Sequence, residues 1–406
     1  MTKSEPQLAE DIFQIAQEAY ARFPASSKPG IRSNGVKEWT VLAAVVAIDT
    51  DNDTLRLVSA ASGVKATPDE DLKRSQGRIL HDCHAEILAL RAFNAVVLRQ
   101  IKFLANGCDT PEDIDLVEKI DESFRVRLRW KFALYISKLP CGDVSMSFDA
   151  GDEMKFEESD LLQYIKPTNR FILRGRFNHS KRGFVRTKPG RQDSSPTFSK
   201  SCTDKLCVRQ VLSMLNSLTW SLLKQPVFLS YVVVPEPKDG FIDEVNKSFQ
   251  TRLNMPEVTT SMKFIPCAAN FQDDKLDEQQ APAATCSTML NVLNGKGTLQ
   301  ESILNGMKNG FYVKKPKPLR NNCESCVSRS AQWELFREIN RDNSHLSYLE
   351  FKSRQLGRNA LKVKVQLALS PDGWIATRED DCHAAKSRDL LRGQSAIGTA
   401  SRWLNN

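Results

Sequence analysis

A histidine, a glutamate and a distant cysteine are the residues of this 406-residue chain best suited to chemistry. His84 and Glu86 lie two positions apart at the start of a segment that predicts a buried helix, and Pro140-Cys141 follows a predicted strand. Imidazole and thiolate are good zinc ligands, and a catalytic zinc site uses three protein ligands and leaves one position for water. Zinc lowers the pKa of that water to about 7, and a neighbouring carboxylate can carry its proton.

Each of these residues alone has a simpler interpretation. An isolated histidine is more often a hydrogen-bonded core residue, and an isolated buried cysteine is usually a structural thiol. Together, His-x-Glu and a later Pro-Cys have the form of a zinc-dependent nucleobase deaminase site. The common signature continues as Pro-Cys-x-x-Cys, but Val144 occupies the last position here. A third ligand must come from elsewhere, and the nearest candidates are Cys83, Cys202 and Cys207.

The remaining cysteines offer one rival metal site. Cys323 and Cys326 form a C-x-x-C motif, and a structural zinc would need a second ligand pair, for which Cys382-His383 is an awkward candidate. Two free thiols near a helix start are the simpler interpretation. The chain has ten cysteines and no recognisable secretory signal, so we expect reduced thiols and an intracellular location, nuclear or cytoplasmic.

Positive charge is concentrated in one stretch of the chain. The formal net charge is +8, and no acidic residue occurs from Leu161 to Gln192. Such a stretch predicts RNA binding through phosphates, although a solvated loop is the alternative. The cations predicted to contact RNA are Arg170, Arg174, Arg176, Lys181, Arg182, Arg186, Lys188 and Arg191. A shorter basic run, 314–317, is either a second RNA contact or solvated surface.

Strands and helices alternate along the chain, which predicts an α/β sheet with covered faces. The longest apolar run, Val41 to Ile48, is too short to cross a membrane. The predicted strands are 39–48, 54–61, 130–136 and 227–234. The predicted helices are 8–23, 84–98, 203–223, 327–339 and 347–369.

Four motifs together carry a family resemblance. They are GRILHDCHAEILALRAF at 77–93, LPCGD at 139–143, RTK at 186–188 and SCTDK at 201–205. In this order they resemble the family of adenosine deaminases acting on RNA, more narrowly its tRNA-specific branch in a fungal-like form. The resemblance implies a cytidine-deaminase-like α/β core, a mixed sheet flanked by helices, with family-specific insertions and helical C-terminal additions. It implies a single deaminase domain over 1–406, with the catalytic core at roughly 35–235.

The same resemblance implies a reaction and the residues that perform it. His84, Cys141 and Cys202 would bind Zn²⁺, and Glu86 would be the proton shuttle. The reaction would be hydrolytic deamination of adenosine to inosine in tRNA, at position 37 of alanine tRNA. No DNA or membrane partner is expected. The alternatives are a deaminase of free nucleosides, which needs no basic surface, and an inactive RNA-binding subunit, which needs no Glu86.

The resemblance further implies a bound inositol hexakisphosphate, whose charge requires a shell of lysines and arginines. The matching positions are Arg91, Lys205, Tyr348, Lys352, Lys362 and Trp374. Asp82 and Lys205 match the family's relay between the metal site and the phosphate. The sequence departs from the family where Leu90 replaces an arginine, where Arg209 is displaced by one position and where Arg358 replaces a tyrosine.

Overall fold

A mixed eight-stranded β-sheet with helices on both faces organises the chain, as the predicted fold class requires. The computed structural model describes residues 3–107, 115–146, 148, 173–175, 182–188, 194–195, 197–235, 239–260, 262–277, 279–293, 297–370, 374, 376–377 and 380–382. Their helices are α1 Glu5–Ala21, α2 Asp69–Leu72, α3 Ala85–Ala105, α4 Asp143–Met146, α5 Cys202–Leu212, α6 Ser217–Leu222, α7 Phe241–Asn246, α8 Arg329–Ile339, α9 Tyr348–Ser353 and α10 Leu356–Leu369. Their strands are β1 Glu38–Trp39, β2 Leu42–Asp49, β3 Leu55–Ser62, β4 Val64–Ala66, β5 Asp82–His84, β6 Val117–Ile120, β7 Ser123–Val126, β8 Trp130–Ile136, β9 Leu173–Arg174, β10 Arg186–Thr187, β11 Tyr231–Pro235, β12 Lys263–Cys267, β13 Ala281–Pro282, β14 Thr285–Asn291, β15 Thr298–Leu304 and β16 Met307–Lys308.

The strand order of the large sheet is β12-β11-β8-β2-β3-β14-β15-β16. Strands β12, β11 and β8 are parallel, and the remaining neighbours are antiparallel. The hairpin β2–β3 forms because Asp49 accepts hydrogen bonds from the backbone of Asp51 and Asn52 in the turn. Four strands beyond residue 235 join this sheet, so it extends past the predicted core boundary.

The two faces of β2 divide the core into two layers. Ala43, Val45 and Ala47 pack with the buried helix α3, whereas Leu42 and Val46 point to the opposite face and pack with α1. The strand therefore lacks polar alternation because both of its faces are covered. Helix α3 is buried over most of its length, as its apolar sequence predicts.

Two predicted helices are each broken into two. The segment predicted as one helix at 203–223 forms α5 and α6, because Ser213 adopts a positive φ of 82° and Asn216 caps a new helix. The hydroxyl of Ser213 donates to the carbonyl of Val227, so the following strand begins only at Tyr231. The segment predicted at 347–369 likewise forms α9 and α10. Along the described part of the chain, no helix combines the length and the apolar character that crossing a membrane requires.

Helix α1 provides a test of the layer that covers the far face of the sheet. Ile12 is fully buried against that face, whereas Glu18 on the same helix is exposed. We expect Ile12→Ala to lower the free energy of unfolding by about 2–5 kcal/mol, because it leaves a cavity. Chemical denaturation measures this change, with Glu18→Ala as the control. Equal stability of the two variants would show that α1 does not complete the core.

Candidate metal centre and active site

His84, Cys141 and Cys202 come together although 118 positions separate the first from the last. His84 is the N-cap residue of α3, Cys141 lies in the loop after β8, and Cys202 begins α5. The Nδ1 atom of His84 lies 3.8 Å from the Cys141 Sγ atom and 3.6 Å from that of Cys202. Within the described residues, no other group of three or more His, Cys, Asp or Glu side chains is placed to hold a metal ion.

The other candidates for the third ligand lie elsewhere. The thiol of Cys207 donates to the backbone carbonyl of Ser248, 3.1 Å away. Cys83 packs in the apolar core on the α3 side of the sheet. The donor set of one imidazole and two thiolates, with two of its three residues partly exposed, fits a zinc site that has three protein ligands.

The loop of Cys141 and the start of α5 interlock. Gly142 has a φ of +111°, and a Cβ atom there would lie 2.3 Å from the Ser201 hydroxyl, so only glycine fits. The backbone N–H of Thr203 donates to the Cys141 carbonyl at 3.0 Å. Ser201 caps α5 by accepting from the backbone of Asp204. These contacts fix Cys141 and Cys202 side by side.

A buried carboxylate lies beside this group of three side chains. Asp82 accepts hydrogen bonds from the backbone N–H of His84 at 3.0 Å and from the Lys188 ammonium at 2.8 and 2.9 Å, and also pairs with Lys205. Burial alone would raise the pKa of Asp82, but the two lysines outweigh it and hold that pKa well below its usual range. Asp82 and Lys205, which the resemblance assigns to a relay, thus form an ion pair.

Lys188 extends this network to the sulfur of Cys202. Its ammonium group lies 3.0 Å from the Cys202 Sγ atom, and its side chain is buried. A hydrogen bond with the Cys202 thiol, followed by the charges of Lys188 and His84, outweighs burial and holds the pKa of Cys141 well below its usual value. The pocket of ligands therefore favours a thiolate even before a metal binds.

Glu86 is the second residue of α3 and is buried beside the ligands. Its charge acts on both Lys188 and Cys202, so the carboxylate lies near the group of His84 and the two cysteines. It is not a member of that group. A carboxylate so placed can exchange a proton with a molecule bound between it and the ligands.

The prediction of RNA contacts needs correction. Four of the residues lie outside the described part of the chain, namely Arg170, Arg176, Lys181 and Arg191. Three others are buried: Arg174, Arg186 and Lys188. Because these side chains are buried, RNA phosphates cannot reach them. They form hydrogen bonds inside the protein. Arg182 is half-buried and pairs with Asp143 at 3.3 Å and Glu244 at 3.0 Å.

A second group of charges, here called the cation cluster, lies among α3, α5, α8, α9 and α10. Its members are Arg91, Arg209, Arg329, Lys352, Arg358 and Lys362, with Tyr348 beside them. Burial and then the charges of Arg329 and Arg358 lower the pKa of Lys352 to about 8. Burial, with Lys352 and Arg358, lowers that of Lys362 to about 8.

Carboxylates do not neutralise this cluster. Arg91, Arg209 and Arg358 donate to backbone carbonyls, and only Arg329 approaches a carboxylate, that of Asp380 at 3.5 Å, as far as the described residues show. Unpaired charges of one sign at low dielectric are costly, so the arrangement fits a polyanion.

The structure brings four of the predicted phosphate-binding residues into the cation cluster: Arg91, Tyr348, Lys352 and Lys362. The other two predicted residues have different partners. The Lys205 ammonium donates to Asp82 and Ser199, and the Trp374 ring lies 5.6 Å from the Lys200 ammonium. The sequence departures at Arg209 and Arg358 prove to be cluster members. Arg329 gave no signal in the sequence.

The rival C-x-x-C pair does not assemble a site. Cys323 lies in an apolar cluster with Leu72 and Met307, whereas Cys382 packs with Trp333 in another. Burial, helped by Glu301, raises the pKa of Cys326 to about 12, as expected of a neutral thiol. His383 lies outside the described residues.

Comparison with known proteins identifies the family of this chain. Residues 59–362 match the family described as the adenosine-deaminase (editase) domain. The chain is similar to tRNA-specific adenosine deaminase 1 of Saccharomyces cerevisiae, at 47% identity over 385 residues that cover 93% of this chain and 95% of the relative. It is 34% identical to the protein of the same name from Schizosaccharomyces pombe over 374 residues, covering 86% of this chain and 92% of the relative. The chain therefore belongs to the adenosine deaminases of the editase-domain family.

Proposed function

We propose that this protein is a zinc-dependent enzyme that deaminates adenosine to inosine in tRNA by hydrolysis. The observation that carries the proposal is the convergence of the His84 imidazole and the thiols of Cys141 and Cys202 beside the buried carboxylate of Glu86. The two yeast relatives are named as tRNA-specific adenosine deaminases, which supports tRNA as the substrate. Within that class, the resemblance to the tRNA branch favours adenosine 37 of alanine tRNA.

His84, Cys141 and Cys202 would hold zinc, which when bound supplies a Lewis acid that activates a water molecule. Glu86 takes a proton from the attacking water and passes it to N1 of the adenine ring. Once the bond between C6 and the water oxygen has formed, Glu86 takes the second proton from that oxygen and delivers it to the amino nitrogen, the bond from C6 to that nitrogen breaks, and the C6 carbonyl of inosine remains. Adenosine and water thereby become inosine and ammonia.

Lys188 and Asp82 would position the ligands in this reaction. The Lys188 ammonium stabilises negative charge on the Cys202 sulfur, and Asp82 holds both Lys188 and the backbone of His84. Partners of this kind typically change metal affinity or activity by about 10- to 100-fold. Their role explains why Lys188 is buried although it lies in a basic stretch.

We further propose inositol hexakisphosphate as the anion of the cation cluster. Burial first, and then the charges of neighbouring cations, lowers the pKa of both Lys352 and Lys362 to about 8. A compact polyphosphate would restore their ordinary protonation and contact several arginines at once.

The role of Glu86 is tested by Glu86→Gln. We expect deamination of tRNA to fall by about 10²- to 10⁴-fold, because the amide cannot carry the proton. Mass spectrometry of digested tRNA measures inosine, and elemental analysis should find zinc unchanged. Undiminished inosine formation would remove Glu86 from the mechanism. Wild-type turnover of free adenosine, with no reaction on tRNA, would favour the free-nucleoside alternative.

Metal binding is tested by Cys202→Ser, with Cys207→Ser as a matched control in the same helix. We expect the first variant to lose zinc affinity by more than about 10²-fold, since a direct ligand should matter more than a supporting partner. The control should keep its zinc, because its thiol contacts only protein. Chelator competition measures both affinities. Equal zinc retention in the two variants would mean that Cys202 is not a ligand.

The phosphate ligand is tested by Lys352→Glu against Lys364→Glu. Lys364 lies on α10 and pairs with the exposed Glu257, so it provides a control outside the cluster. We expect phosphorus extracted from the purified protein to fall several-fold in the first variant only. Lys352→Met, which removes the charge and keeps the length, should give an intermediate loss. A wild-type protein free of phosphorus, whose melting temperature does not respond to added inositol hexakisphosphate, would contradict the proposal.

A further inference from the structure

A positively charged surface lies outside both of these sites. Two segments, 73–78 and 308–320, form it together, and we call it the basic platform. Besides Lys73 and Lys308, which pair with Glu70 and Glu301, its cations are Arg74, Arg78, Lys314, Lys315, Lys317 and Arg320. The run 314–317 is the one whose role the sequence left open between RNA contact and solvated surface.

Hydrogen bonds join the two segments into a defined surface. The guanidinium of Arg74 donates to the Lys317 carbonyl at 2.6 Å and to the Val313 carbonyl at 2.7 Å. Arg78 donates to the carbonyl of Arg320 at 3.3 Å. Beneath them lies an apolar cluster of Leu72, Ile79, Met307, Leu319 and Cys323. The platform is therefore anchored to the fold and is not an isolated loop.

Most of the charge of the platform is available to a partner. Lys315 pairs with Asp71 at 3.1 Å. Lys314, Lys317 and Arg320 are exposed, and no carboxylate in the described residues lies within ion-pair distance of them. The arginine bonds to backbone carbonyls orient the side chains but leave their charge uncompensated. The surface thus favours an anionic partner with several charges.

The chain just before the platform packs against the segment that leads to His84. The carbonyl of Gly306 accepts a hydrogen bond from the backbone of Leu80 at 2.9 Å, and Leu80 precedes His84 by four residues. Gly306 fits so closely that a Cβ atom there would lie 2.7 Å from the Leu80 carbonyl. The segment that leads to the first metal ligand therefore lies directly against the base of the platform.

We propose that the basic platform binds the phosphate backbone of the tRNA whose adenosine enters the active site. This inference rests on the proposed function and names the surface that holds the rest of the substrate. An RNA stem presents regularly spaced phosphates, and exposed lysines and an arginine meet them without reading sequence. The burial of Arg174, Arg186 and Lys188 removes part of the acid-free stretch from this task, whereas Lys314, Lys317 and Arg320 of the platform are exposed.

The test compares two triple variants of the full chain that carry the same change of charge. Lys314→Ala, Lys317→Ala and Arg320→Ala remove the platform charges. As the control, Lys119→Ala, Lys131→Ala and Lys224→Ala remove exposed charges near the start of β8, the end of this strand away from Cys141. We expect the Kd for tRNA to rise about tenfold or more in the platform variant only, and the slope of log Kd against log salt to fall by up to about 3.

A second platform variant and two further readouts, the deamination rate and binding to lipid vesicles, complete the design. Lys314→Glu with Lys317→Glu keeps the bond of Arg320 to Gly310 and should weaken binding at least as much. The deamination rate of saturating, bound tRNA should be unchanged in each variant. Equal Kd values and salt slopes for the platform and control variants would overturn the proposal. It would also be overturned if the platform variant lost binding to anionic lipid vesicles but kept its affinity for tRNA. A wild-type protein that binds tRNA and forms no inosine would contradict the proposed function, whereas the binding comparison still decides on the platform.

Discussion

The carboxylate of Asp82 connects the three segments on which the site depends. It binds the backbone of His84 at the end of β5, the ammonium of Lys188 after β10 and that of Lys205 in α5. A buried charge without its partners destabilises a fold by several kcal/mol, so these segments are held in one arrangement. Other parts of the molecule support this arrangement. The sheet fixes β8 and thereby the loop of Cys141, and Gly142 lets that loop pack closely against the start of α5.

Hydrophobic periodicity and turn residues predict the strands and helices whose structure depends on nearby residues. The strand 130–136, the hairpin at Asp49 and the buried helix after His84 are where periodicity and turn residues place them. His84, Glu86 and Cys141 were visible for the same reason, since each sits at a recognisable junction. The third ligand was not, because spacing gave several candidate cysteines, and only a family resemblance chose Cys202. The break at Ser213 depends on a hydrogen bond to Val227, which no local pattern contains.

Positive charge shows where such reasoning fails. Lys188 and Lys317 both lie in basic runs, yet one is buried on Asp82 and the other is exposed on a platform of two segments. The difference comes from partners distant in sequence. The members of the cation cluster are a third case, since they lie together and Asp380 is the one carboxylate within ion-pair distance of them among the residues that the structure describes. Composition counts all three alike, whereas their surroundings differ: Lys188 is buried on Asp82 beside the Cys202 sulfur, Lys317 is exposed, and the cluster cations are gathered among helices.

The strand order also has a consequence for biosynthesis. Strand β3 pairs on one side with β2 and on the other with β14, whose first residue follows the end of β3 by 223 positions. At about 5–20 residues per second, a ribosome needs roughly 10 to 45 s to deliver that neighbour. Throughout this interval the nascent chain presents an unpaired apolar edge, Ala60 and Ala61 among its residues. An unpaired edge of this kind is prone to aggregation, so we expect chaperones that mask it during translation to raise the yield of folded protein.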